Sequence, residues 1–195
     1  MPLHSGFSLC RYQGLGFSRA VRLMKDLGFS PAMTIPARNA KNDAVRGISR
    51  TFFVTSKTAP SKAVLRSEPM ALLMIDVLRS YVAGGKFVLH DFVVMPDHIH
   101  LLLTLDQLMS VEKAAQLVKG GFSYRAKKEL GYGGEVWQKG FSEVRILDRQ
   151  SFLAHRDYID QNPVKAGLVD SAEKFPYGSA YFKQQKRAGA KAQTK

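Results

Sequence analysis

Two histidines, His98 and His100, stand one residue apart directly after a Pro-Asp turn. The runs around them are short and rich in Val, Leu and Phe, which predicts buried strands rather than helices. Side chains alternate faces along a strand, so both imidazoles point the same way while Ile99 points into the core. Two imidazoles side by side on a rigid strand provide half of a divalent-metal site, although such a pair is also typical of an ordinary polar strand face.

Tyr158 and Asn162 are a second pair with chemical potential, about sixty residues further along the chain. They lie four residues apart in a segment predicted to be helical, so they share one helical face. Asn162 can offer an amide oxygen to a hard cation. The Tyr158 phenol is a weak nucleophile that needs an activated electrophile, such as a metal-bound phosphodiester. Alternatively, both residues have structural roles only: Tyr158 is a partly buried helix aromatic, and Asn162 is the helix C-terminus before Pro163.

The elements that must position these side chains follow a regular order. Hydrophobic patterns predict strands at 50–55, 86–94, 97–105 and within 136–147, and helices at 69–81, 110–130 and 148–162. This order predicts an α+β fold, a ferredoxin-like antiparallel sheet with helices packed on one face, plus a C-terminal catalytic helix and tail. We expect Gly120 and Gly121 to loosen the second helix and Pro163 to stop the third.

Length and composition predict one domain with extensions. Within the 195 residues we place a folded domain at 49–182, a basic extension at 1–48 and a basic disordered tail at 183–195. Three interpretations of the extension are open: a disordered segment, an arm that contacts nucleic acid, or the product of a start codon assigned too early. The single cysteine excludes an intrachain disulfide and favours an intracellular protein. We expect no membrane partner and a cytoplasmic location, because no apolar run approaches the ~20 residues that cross a bilayer.

The charge of the chain predicts a polyanionic partner. A formal net charge of +13 and a pI near 10.0 make nucleic acid the first candidate. The basic residues that lie mostly off the apolar stripe of the second helix are the predicted nucleic-acid contacts: Lys119, Arg125, Lys127 and Lys128.

Other polar residues near these motifs compete for a role. Tyr124 is a rival tyrosine, but Lys128 rather than an amide stands four residues after it, which favours Tyr158. His90 and His155 are expected to be satisfied surface histidines, and Glu143 could approach a metal from the last strand.

Three segments of the chain together resemble a known family. They are Met-Pro-Asp-His-Ile-His-Leu-Leu-Leu at 95–103, Trp-Gln-Lys-Gly-Phe at 137–141 and Tyr-Ile-Asp-Gln-Asn-Pro-Val-Lys-Ala-Gly-Leu-Val at 158–169. This combination is similar to the REP-associated tyrosine transposases, which belong to the HUH superfamily of single-strand endonucleases. The resemblance covers roughly residues 49–181, and the first 48 residues have no counterpart in it.

The resemblance implies a reaction and a role for each motif residue. His98, His100 and Asn162 match the ligands of Mg²⁺ or Mn²⁺, and Tyr158 matches the nucleophile that leaves a 5′-phosphotyrosine link and a free 3′-hydroxyl. The implied substrates are single-stranded DNA hairpins, the repetitive extragenic palindromes, and the implied protein is a bacterial, nucleoid-associated monomer. Two rival hypotheses stay open: a non-catalytic module that binds hairpin DNA or RNA, and a metal hydrolase that uses water and forms no covalent adduct.

Overall fold

A computed structural model of the protein describes residues 49–60 and 62–192, with side chains to residue 190. The predictions for residues 1–48 and for the last three residues lie outside these ranges. The described part of the chain forms four strands and four α-helices, with one short 3₁₀ helix before α1 and another before α4. In chain order they are β1 (Arg50–Lys57), Val64–Arg66, α1 (Glu68–Ala83), β2 (Val88–Val94), β3 (His98–Leu105), α2 (Val111–Leu130), β4 (Ser142–Ile146), α3 (Arg149–Lys165), Ala172–Lys174 and α4 (Ser179–Ala192).

The strands form one antiparallel sheet in the order β2-β3-β1-β4. β1 is central and pairs along its whole length with β3, from Arg50 opposite Leu105 to Lys57 opposite His98. Its other edge pairs with β4. Two β-α-β units with this strand order form the ferredoxin-like arrangement, so the predicted α+β fold is confirmed.

Alternation along β1 divides the core into two layers. Phe52 and Val54 join the cluster that contains the apolar stripes of α1 and α2, and we call this side the helix-pair face. Phe53 points the other way and packs with Leu102 and with Ile159 of α3. His100 stacks on Phe53, so we call this second side the histidine face. The fold thus places α3 on the face that carries the histidines.

Helix α2 is continuous through its two central glycines. A Cβ at Gly121 would overlap the Tyr81 hydroxyl, whereas a Cβ at Gly120 would meet nothing within 4 Å. Gly121 therefore allows the close approach of α1 and α2. The predicted cap is confirmed, because Ser110 accepts a hydrogen bond from the Lys113 amide at 3.2 Å.

Helix α3 does not stop before Pro163 but continues to Lys165. Proline removes one backbone donor, and so close to the end of a helix the loss is tolerated. The Leu168 amide donates to the Pro163 carbonyl at 3.0 Å and the Gly167 amide donates to the Val164 carbonyl at 2.9 Å. With Gly167 at φ 69°, these bonds form a Schellman cap, which fixes the last turn that carries Asn162.

Two further boundaries differ from the predictions. The last strand is shorter than 136–147, because Val136 pairs with Ala59 separately and the chain then turns at Gly140 before β4. Residues 183–192 form most of α4 instead of a disordered tail. Composition alone does not predict this helix, because contacts with a distant part of the chain hold it in place. The buried Asp91 carboxylate accepts a hydrogen bond from the Ser179 hydroxyl and pairs with the Lys183 ammonium.

None of the helices in the described part of the chain is both long enough and apolar enough to cross a membrane.

Candidate functional site

The two histidines lie at the beginning of β3, where the chain re-enters the sheet after a tight turn. The Met95 amide donates to the His98 carbonyl at 2.8 Å and closes that turn. The imidazoles of His98 and His100 lie on the same face with ring centroids 4.6 Å apart, as the strand period predicts. Ile99 between them is fully buried on the helix-pair face.

Hydrogen bonds at the Nδ1 atoms orient both imidazoles. His98 Nδ1 lies 2.7 Å from an Asp97 carboxylate oxygen, and His100 Nδ1 lies 2.7 Å from the hydroxyl of Thr55. If each Nδ1–H is the donor, each Nε2 carries the lone pair that a metal requires. Burial holds the pKa of His100 well below its ordinary value, and His98, His155 and Lys57 lower it further. His100 is therefore neutral near pH 7, which is the protonation state of a metal ligand.

Helix α3 brings Tyr158 and Asn162 to the histidine face. The Asp148 carboxylate caps the helix by accepting from the Ser151 amide at 2.7 Å. Further along, the Tyr158 ring lies 5.2 Å from the His100 ring, and Asn162 is only 8% exposed. Burial raises the pKa of Tyr158, while a hydrogen bond from Asn162 acts in the opposite direction. The structure thus gathers a phenol, an amide and two imidazoles.

A buried ring that sequence reasoning missed lies beneath this group. Phe53 is 6% exposed, and its centroid lies 5.1 Å from His100, 4.8 Å from His155 and 5.8 Å from Tyr158. His155 is only 4% exposed, so its expected surface position is wrong. Its Nδ1 lies 2.8 Å from the Ser151 carbonyl, one turn earlier in the same helix. The available signals were the alternation of β1 and the three-residue spacing between His155 and Tyr158.

Lys119, one of the predicted nucleic-acid contacts, is tied to the 137–141 segment. Its ammonium donates to the carbonyls of Gln138 at 2.8 Å and Gly140 at 2.6 Å, and burial lowers its pKa. In return its own carbonyl accepts from the Trp137 indole at 3.0 Å. The Trp-Gln-Lys-Gly-Phe motif therefore depends on Lys119 for its shape.

The other predicted contacts also lie on α2, away from the histidine face. Arg125 pairs with Asp76 at 2.7 Å and with Glu129 at 2.6 Å. Lys127 and Lys128 are exposed in the last turn of the helix. The structure does not bring these four basic residues to the tyrosine, and contact with nucleic acid stays a prediction for each of them.

The remaining candidates are separated from the site as well. Tyr124 is 64% exposed on α2, in the layer opposite Tyr158. Glu143 pairs in register with Val54, so its side chain lies on the helix-pair face and the idea that it approaches a metal is wrong. His90 places its Nε2 2.7 Å from the Thr104 hydroxyl, in a partly buried position at the other end of the sheet.

The donor set determines what the site can hold. No cluster of three or more His, Cys, Asp or Glu side chains suited to a metal ion occurs within residues 49–60 and 62–192. What lies together is two imidazoles with oriented Nε2 atoms and the neighbouring amide of Asn162. The amide oxygen is a donor that Mg²⁺ and Mn²⁺ favour, and a site with two imidazoles can hold such an ion when water and substrate oxygens supply the rest of the shell. The side chains therefore fit the divalent ion that the motifs imply.

A ferredoxin-like sheet with a His-x-His pair facing a tyrosine-bearing helix is the arrangement expected of a single-tyrosine transposase. Residues 53–162 match the family model described as "Transposase IS200 like". Because this match spans more than half of the chain and includes every residue of the site, the chain belongs to the IS200-like transposase family. Members of this family are generally metal-dependent.

Individual relatives agree with this assignment. The chain is 31% identical over 96 residues to a Haemophilus influenzae protein that is provisionally named a REP-associated tyrosine transposase, over 44% of this chain and 54% of that one. It is 29% identical over 99 residues to the REP-associated tyrosine transposase of Escherichia coli K12, over 48% of this chain and 54% of that one. The matched segments thus span about half the length of these relatives.

A solved structure of a REP-associated tyrosine transposase bound to a REP hairpin has the same fold. It superposes with a TM-score of 0.54 at 25% identity, over 68% of this chain and 77% of that one. The family resemblance inferred from the three motifs is therefore confirmed.

Proposed function

We propose that this protein is a metal-dependent endonuclease and strand transferase that acts on single-stranded palindromic-repeat hairpins through a 5′-phosphotyrosine intermediate. The observation that carries the proposal is the meeting of Tyr158 and Asn162 with His98 and His100 on one face of the sheet. Relatives named for REP-associated transposition, one of them solved with a REP hairpin, support the substrate. The chromosome would then be the place of action.

Tyr158 would act as the nucleophile. Its oxygen attacks the scissile phosphorus, the P–O3′ bond breaks, and the new bond is a phosphotyrosyl ester. The phenol gives up its proton to solvent, and the departing 3′-oxygen takes one up. Burial raises the pKa of the Tyr158 phenol and opposes its ionisation, and the hydrogen bond from Asn162 partly offsets this effect. Since the ester conserves the energy of the broken bond, a 3′-hydroxyl can reverse the step and join strands.

His98, His100 and Asn162 would hold the divalent ion, Mg²⁺ or Mn²⁺. When bound, the ion would withdraw charge from the phosphodiester and stabilise the charge that develops in the transition state. The chain's own contribution is orientation: Asp97 and Thr55 fix the two imidazoles, and the Schellman cap fixes the turn that presents Asn162. A monomer with its tyrosine acting in cis is the simplest arrangement of these elements.

The experiment that tests this proposal is incubation with a labelled single-stranded hairpin from the source genome's palindromic repeats, in Mn²⁺ and in Mg²⁺. A denaturing protein gel should show a covalently labelled band for the native chain and none for Tyr158→Phe or His98→Ala. Tyr124→Phe is the matched control, because it removes the same hydroxyl from an exposed tyrosine and should leave the band intact.

Two outcomes would contradict the proposal. Tight hairpin binding without a labelled band in either metal would favour the non-catalytic binding module. Cleaved DNA without a labelled band would indicate a hydrolase that uses water.

A further inference from the structure

Lys57 ends β1 directly opposite His98. The two residues are paired in the antiparallel register, so their side chains lie on the same face of the sheet. The Lys57 side chain is partly buried, and its ammonium is electrostatically coupled to Asp97 and to His100. A positive charge therefore borders the histidine pair on the β1 side, although no sequence motif marked this lysine.

Lys165 places a second positive charge beside Tyr158. It is the last residue of α3, two helical turns after Tyr158, and its ammonium lies 5.7 Å from the centroid of the Tyr158 ring. The side chain is exposed, and no carboxylate within the described residues is paired with it. A cation in this position can contact an anion that approaches the phenol.

We propose that Lys57 and Lys165 grip the scissile phosphodiester from two sides. The inference rests on the proposed function, since it assigns a contact to the same substrate. A phosphodiester carries one negative charge on two non-bridging oxygens, and each lysine can donate a charge-assisted hydrogen bond to one of them. The phosphorus that Tyr158 attacks must lie close to both the phenol and the histidine pair, and one lysine borders each of these groups. The basic residues of α2 lie on the opposite face and cannot supply this contact.

The test measures binding rather than cleavage. In the Tyr158→Phe background, each phosphate in the single-stranded segment flanking a repeat hairpin is replaced in turn by a neutral methylphosphonate, and affinity is measured in Mg²⁺. We expect one linkage at which loss of charge weakens binding about tenfold or more. We call this loss of affinity the penalty at that linkage. Adding Lys57→Ala or Lys165→Ala should remove the penalty, whereas Lys57→Arg and Lys165→Arg should retain it.

Lys86→Ala is the matched control, since Lys86 is exposed and precedes β2 at the far end of the sheet from His98. It should lower affinity only slightly and leave the penalty at that linkage unchanged. The proposal is overturned if the penalty survives both alanine substitutions or if Lys86→Ala removes it equally. Loss in only one of the two lysine variants would overturn the two-sided grip.

This result is separable from the proposed function. If the native chain forms no covalent adduct but the lysine variants abolish the methylphosphonate effect as expected, the proposed transesterase activity is refuted and the phosphate contact is supported. If the adduct forms but the lysine variants leave the methylphosphonate effect unchanged, the transesterase activity is supported and the phosphate contact is refuted.

Discussion

Replacing Phe53 by leucine perturbs the site without substituting any of the residues proposed to contact DNA or metal. The Phe53 ring is 6% exposed and packs against His100, His155 and Tyr158, which come from two different elements of the fold. Leucine keeps an apolar side chain in this space but removes the flat surface on which His100 stacks. We therefore expect the relative position of β3 and α3 to change at the point where the chemistry takes place.

The expected magnitude follows from these contacts. Each aromatic pair contributes about 0.5–1.5 kcal/mol beyond area burial, and the smaller side chain also leaves a void. We expect Phe53→Leu to lower the free energy of unfolding by about 2 kcal/mol. Displacing the Tyr158 oxygen by about 1 Å should slow adduct formation by roughly 100-fold.

The assay compares this variant with Phe52→Leu. Phe52 is the preceding residue, is 7% exposed and lies on the helix-pair face, so it reports the cost of the same substitution away from the site. Urea unfolding gives the stability of each variant, and the initial rate of covalent labelling is measured well below both melting temperatures. We expect similar stability losses but a large rate loss only for Phe53→Leu.

Two results would refute this reasoning. Equal rate losses in the two variants would mean that activity follows global stability. A normal rate in Phe53→Leu would mean that the ring does not position the histidines and the tyrosine.

Three further predictions concern other contacts. Asp97→Asn should weaken Mn²⁺ binding about 10- to 100-fold in calorimetry, because the carboxylate orients a metal-binding imidazole; unchanged affinity would contradict that role. Gly120→Ala should raise the free energy of unfolding by up to about 1 kcal/mol, whereas Gly121→Ala should lower it because its Cβ would overlap the Tyr81 hydroxyl; urea unfolding should give opposite signs. Burial raises the pKa of Glu143, so ionisation costs stability as pH rises through that raised value. Glu143→Gln should therefore raise the melting temperature at pH 7 but not near pH 4, and an equal shift at both would refute this.

The sequence predicted the fold and the pairing of the main motifs because these depend on periodicity. The two-residue period of a strand put His98 and His100 on one face of β3, and the four-residue spacing put Tyr158 and Asn162 on one side of α3. The order of the predicted strands and helices then indicated the ferredoxin-like antiparallel sheet. Each of these inferences needs only the local geometry of one element.

The sequence could not predict contacts that depend on how elements meet. Phe53 looks like any strand aromatic, and only the register of β1 against β3 places it beneath His100. Lys57 has no motif of its own and is notable only because it is paired with His98. His155 was expected at the surface because histidine often lies there, but α3 rotates it onto Phe53.

The boundary errors have the same origin. A proline usually ends a helix, and Pro163 therefore predicts the end of α3. The cap at Gly167 supplies hydrogen-bond donors for the last carbonyls and allows the helix to continue to Lys165. Residues 183–192 have the composition of a disordered tail, but a buried carboxylate on β2 anchors the helix they form.

In the proposed function, Tyr158 is the nucleophile of a covalent reaction at the histidine face. The most direct measurement is peptide mapping by mass spectrometry after incubation with hairpin DNA and Mn²⁺, followed by nuclease and protease digestion. We expect a nucleotide 5′-phosphate attached to the peptide that contains Tyr158. Attachment to a peptide containing Tyr124 or another residue, or cleaved DNA without any modified peptide, would contradict this expectation.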